Sequence, residues 1–161
     1  MKIKTLALAG LLSLLASSTS FATEKTYNIK TDPLSLALGV PNIGVVFQLS
    51  ENVGMGVSGS MSRLRWDDDD ITAVGANLEA GYYFSGVFED TGYLKAFTGL
   101  ATVTSSHDDI GSTVANVGVI GGYQWMWENF NTSVGGGVQY IQSEGLSIGL
   151  PALEWTIGYA I

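Results

Sequence analysis

The 161 residues suffice for one domain and are too few for two of ordinary size. Fifteen acidic residues stand against seven basic ones, a balance that disfavours nucleic acid, whose phosphates select clustered Lys and Arg. There is no cysteine, which excludes disulfides, thiol chemistry and a lipidated cysteine anchor.

The chain opens with Lys2 and Lys4, an apolar run from Leu6 to Leu15, and the small-residue exit Ser20-Phe21-Ala22. This order predicts a secretory signal peptide over residues 1–22, cleaved after Ala22. The apolar run is too short for a membrane-spanning helix, which needs about 20 residues. The mature part, 23–161, then keeps the bases Lys25, Lys30, Arg63, Arg65 and Lys95. Its formal charge is −10, from 15 acids and those five bases.

Eight runs with the two-residue period of half-buried strands follow, separated by turn-like breaks. The first is read at Pro33–Gly39, with Leu34, Leu36 and Leu38 on one face, and the second at Ile43–Ser50. The third, Val53–Trp66, sets Val53, Met55, Val57 and Met61 against glycines and serines. The fourth, Ala73–Ser85, sets Val74, Leu78, Tyr82 and Phe84 against Gly75, Asn77, Glu79 and Gly81. The fifth, Tyr93–Thr104, is apolar on both faces and leaves the direction of Lys95 open. The sixth (Val114–Trp127), seventh (Thr132–Gln142) and eighth (Ala152–Ile161) alternate cleanly again.

The chemistry of the two faces separates a membrane barrel from a soluble sandwich or lipocalin-like barrel. Only 14% of the chain is charged, and most of that lies in the breaks, whereas a soluble surface is rich in Lys, Glu, Arg and Asp. A face of Gly, Ser, Ala, Asn and Gln suits a narrow interior, which leaves the face of Leu, Val, Ile and aromatics for lipid. Hydrocarbon satisfies no backbone hydrogen bond, so such a sheet must close on itself. The prediction is an all-β, eight-stranded antiparallel up-and-down transmembrane barrel in a Gram-negative outer membrane. Phe47, Tyr82, Phe84, Tyr123, Trp125, Trp127 and Tyr159 cluster at one end of their runs and are expected to form an interfacial aromatic belt.

Lys30-Thr31-Asp32-Pro33-Leu34 followed by Pro41-Asn42-Ile43-Gly44-Val45 resembles the opening hairpin of a bacterial small-barrel family of uncharacterised function. The mature chain is similar in architecture to the OmpA-like and OmpX-like eight-stranded outer-membrane barrels. That resemblance implies insertion by the outer-membrane barrel assembly machinery and a lipopolysaccharide-rich surround, as a monomer. The alternating C-terminus resembles the assembly signal of such barrels through Tyr159 but ends in Ile161 rather than the usual Phe.

Three groups could carry chemistry. Asp67, Asp68, Asp69 and Asp70 face Asp108 and Asp109 across neighbouring loops, where close carboxylates could form a weak divalent-cation rim. Glu79, Lys95, Glu154 and Arg63 are read as an interior polar network, with Glu79 meeting Lys95. His107, the lone histidine, would be needed by a surface hydrolase, but the residue two places on is Asp109 rather than the Ser of lipid A deacylases. The functional expectation is a structural, envelope-integrity or surface-interaction protein without catalytic activity or cofactor. A narrow pore for small solutes is the alternative, and an interfacial hydrolase the remote one.

Overall fold

The computed structural model describes residues 25–66, 69–105 and 112–161. The expected signal peptide lies outside them, as do Asp67, Asp68, His107, Asp108 and Asp109. The elements in chain order are β1 (Tyr27–Thr31), the short helix α1 (Pro33–Ala37), β2 (Asn42–Ser50), β3 (Val53–Trp66), β4 (Asp69–Tyr83), β5 (Thr91–Ser105), β6 (Ser112–Trp127), β7 (Phe130–Ser143) and β8 (Leu146–Ala160). Each strand pairs antiparallel with its sequence neighbour, and β1 closes the barrel on β8.

The register fixes the shape of the barrel. Stepping across partners from Asn28 leads through Val46, Gly56, Glu79, Phe97, Gly118 and Gln139 to Leu150. Asn28 itself pairs with Ala160, so one circuit climbs ten residues. With ~3.3 Å per residue and ~4.8 Å between strands, that shear tilts eight strands by about 40°.

The alternation expected from sequence sets the two faces. Outward side chains are exposed and apolar: Val119 is 46% exposed and Trp125 38%, while the intervening Gln124 is 5% exposed. The fifth run resolves with Tyr93 and Lys95 inward and Leu94 and Leu100 outward. The open question about Lys95 is thereby answered.

The first strand departs from expectation. Pro33–Gly39 is not a strand; Tyr27–Thr31 takes that place, and Pro33–Ala37 is helical. The Asp32 carboxylate caps this turn, accepting from the backbone N–H groups of Leu34 (2.8 Å) and Ser35 (3.1 Å), and Pro33 opens it without needing a partner for its nitrogen. Gly39 ends it at φ +78°, and Val40 N–H returns to the Ser35 carbonyl. The alternating leucines pointed to a strand, but cap chemistry wins over so short a run.

The wall is therefore uneven. β3 continues over Met61–Trp66 beyond Ser60, the last of its residues to pair with β2. β8 continues over Leu146–Thr156 beyond Ile157, the last of its residues to pair with β1. At the end carrying the termini the barrel is even, closed by the 51–52 turn, the 84–90 loop and the 128–129 turn. At the far end the β1–β2 side stops short, and the 32–41 connection lies across the gap.

Candidate functional site: a plugged lumen with a polar vestibule

The lumen is built in layers from the terminal end. The 84–90 loop folds in: Val87 is 3% exposed, its N–H donates to the Glu51 carbonyl, and Gln124 Nε2 donates to its carbonyl at 2.8 Å. Above it, Asn28 and Asn131 exchange amide hydrogen bonds at 3.2 and 3.0 Å, and Ser133 and Thr156 share a hydroxyl bond of 2.6 Å. Tyr83 and Tyr93, with ring centroids 5.8 Å apart, complete this floor with Val46 and Ile120.

Two ion pairs cross the lumen on top of the floor. Lys30 Nζ on β1 lies 2.6 Å from Glu79 Oε1 on β4. Lys95 Nζ on β5 donates to both oxygens of Glu154 on β8 at 2.6 Å, and Tyr93 Oη donates to Glu154 Oε1 at 2.7 Å. The same ammonium sits 4.6 Å from the Tyr93 ring centroid. The members of each pair stand on strands that are not neighbours, so each tie spans the interior. A buried charge requires such a partner.

Glycines opposite these residues make the room. An added Cβ at Gly56 would lie 2.7 Å from Glu79 Cγ, and one at Gly81 the same distance from Lys95 Cγ. The register places Gly56 beside Glu79 and Gly81 beside Lys95. A narrow barrel can hold long polar side chains only where facing residues give up theirs.

The interior residues foreseen from sequence are thus redistributed. Glu79, Lys95 and Glu154 do face the lumen, but Glu79 meets Lys30 rather than Lys95. Arg63 is not part of the network: it shares the outward parity of Val57 and Met61 and is exposed. Asp69 and Asp70 lie in β4, paired with Trp66 and Arg65, and the rest of the expected acidic rim lies outside the described residues. Lys30, Tyr93 and the Asn28–Asn131 pair were missed. The signal was present, since Tyr27 and Ile29 alternate with Asn28 and Lys30.

Above the ion pairs lies a cavity of about 270 Å³ lined by Ser58, Ser60, Asn77 and Gln139 together with Phe97, Ile120 and Ala152. Asp32, Ser35 and Val40 of the α1 connection also reach it. Outside, the seven aromatics expected in a belt all face outward with exposed rings toward the terminal end. Tyr123 packs on Trp125 with centroids 4.9 Å apart, and Phe130 joins by stacking on Trp127 at 5.9 Å.

The family model described as "Protein of unknown function (DUF3575)" matches residues 9–148. The chain belongs to this family. No match emerges among curated proteins. Among solved structures, the N-terminal β-barrel domain of Pseudomonas aeruginosa OprF is similar at a TM-score of 0.55 and 16% identity, over 86% of this chain and 98% of that one. Neisserial surface protein A is similar at 0.54 and 18% identity, over 84% and 94%. At those identities the DUF3575 chain shares their fold, an eight-stranded barrel closed on itself.

Proposed function

We propose that the chain is an integral barrel of a Gram-negative outer membrane, exported by a leader cleaved after Ala22, with a structural or surface-interaction role rather than a conducting or catalytic one. The observation that carries this reading is the contrast between the two faces of one closed sheet. Outward residues such as Leu78 (56% exposed), Val119 and Val138 (62%) form an apolar skin that water would not tolerate, and the aromatic ring at one end is what a bilayer interface recruits. The lumen supports the role: ion pairs, paired amides and the inserted 84–90 loop occupy the path a solute would need.

Planar-bilayer recording of the refolded protein tests the role. Silence at all applied voltages is expected, and discrete conductance steps would favour the pore. Migration on a gel tests the barrel itself, since a folded membrane barrel runs faster unboiled than boiled. Identical mobility in both states would remove the membrane reading.

A further inference from the structure

Resting on the membrane-barrel reading, we infer that the top of the short β1–β2 hairpin is a binding site for a single-chain amphiphile with a neutral or zwitterionic head. The head sits in the polar vestibule and the chain on the outer wall. Two cavities flank it, one on each face of the wall. The inner one is the vestibule above the ion pairs; the outer is an apolar groove of about 400 Å³ on the barrel wall, formed by Ile29, Ile43, Ile157 and Tyr159 with Phe130. Lys30, Thr31 and Asn42 line both.

The wall between them is low for a reason visible in the register. Among the described residues no strand pairs with β8 over Leu146–Thr156 on the β1 side, or with β3 over Leu64–Trp66 on the β2 side. At about 2.5 Å of height per tilted residue, the β8 flank rises some 28 Å above the hairpin. Among the described residues the 32–41 connection alone crosses this gap, and its helix α1 buries no residue: Leu34 and Leu36 point out, while Ser35 faces the vestibule.

The open edge is guarded against filling by another strand. Ile161 N–H donates to the Tyr27 carbonyl and Ala160 N–H to the Asn129 carbonyl, so odd-numbered β8 residues direct their N–H groups toward β1. Pro151, ten residues on in an unbroken register, removes a donor from the middle of the unpaired edge. Proline at such a position blocks strand addition. A gap closed to strand pairing and spanned by the 32–41 connection, beside the vestibule and below apolar flanks, suits an amphiphile rather than a second copy of the chain.

Charge selects the head. The vestibule is lined by two cations, Lys30 and Lys95, and three carboxylates, Asp32, Glu79 and Glu154. An anionic head meets net repulsion, whereas a zwitterion can place its cation near Asp32 and its phosphate near the Lys30 ammonium, whose contact with Glu79 leaves room for a further acceptor among its three donors.

Native mass spectrometry of the refolded full chain, released from an anionic amphipol after incubation with palmitoyl lysophosphatidylcholine, tests the site. One lysolipid retained per barrel is expected, with palmitate retained at least about tenfold less, a difference of ~1.4 kcal/mol. Ser60→Phe fills the vestibule and should abolish retention. In Ser35→Cys, the only thiol in the chain, a bulky maleimide should do the same while the unlabelled variant still binds. A barrel that shows the heat-dependent gel shift yet retains no lysolipid, retains palmitate equally, or is unaffected by both blocks overturns the site and leaves the membrane-barrel reading intact.

Discussion

Replacing Glu154 with Gln isolates the energetic role of the deeper ion pair. Lys95 is 4% exposed, and both of its carboxylate contacts go to this residue at 2.6 Å. The substitution keeps the volume and an oxygen for Tyr93 Oη, but leaves a buried ammonium without its counter-charge. Loss of one partner from a buried pair costs about 3–5 kcal/mol, or roughly a 10²- to 10³-fold or greater shift in the folding equilibrium. Lys95→Met in the Glu154→Gln background removes the stranded charge and should return stability to within about 2 kcal/mol of the parent, because well-packed replacements of buried pairs are often near neutral. The assay is equilibrium urea unfolding in lipid vesicles, followed by tryptophan fluorescence and the heat-dependent gel shift. The two single changes and the double change form a cycle whose coupling should reach at least ~2 kcal/mol. Additivity within about 0.5 kcal/mol would refute the claim that the two side chains depend on each other.

Three further outcomes check other parts of the argument. Val119→Arg places a charge mid-wall beside Ala96 and Val138 and should cost about 2–4 kcal/mol in a bilayer, whereas Tyr123→Arg near the aromatic end should cost no more than ~1; equal effects in the same unfolding assay would contradict the lipid-facing assignment. Gly56→Ala drives a methyl into Glu79 at 2.7 Å and should cost about 1–3 kcal/mol, while Gly59→Ala, whose nearest atom is 3.9 Å away, should change stability by less than ~0.5. Pro151→Val restores an edge donor and should raise the fraction of crosslinked dimer in detergent; no increase over the parent would show that the edge is protected by something else.

The wall of the barrel was legible because a two-residue period over a dozen residues specifies a face redundantly. In β6, each of Val117, Val119, Tyr123, Trp125 and Trp127 repeats the same message, and all of them stand exposed on the outer wall. The lumen was less legible because its contacts join strands far apart in sequence: Lys30 meets Glu79, and Lys95 meets Glu154, across the interior rather than along it. Alternation says that these four residues point inward, not which will touch. Arg63 shows that alternation should have been trusted further, since Met61 two residues earlier already sets its outward direction.

The opening hairpin is where local and global signals part. Leu34, Leu36 and Leu38 satisfy a strand period as well as any other run, but Asp32-Pro33 begins a helical turn and Gly39 ends it. Once those residues are helical, closure falls to Tyr27–Thr31, five residues against the fourteen to sixteen of β3 through β8. A barrel with that seam cannot have a wall of uniform height, whatever its lumen holds. The low side and the vestibule coincide because Lys30 is the last inward residue of the short strand, so the charge that braces the interior also stands at the point where the interior meets the outer wall.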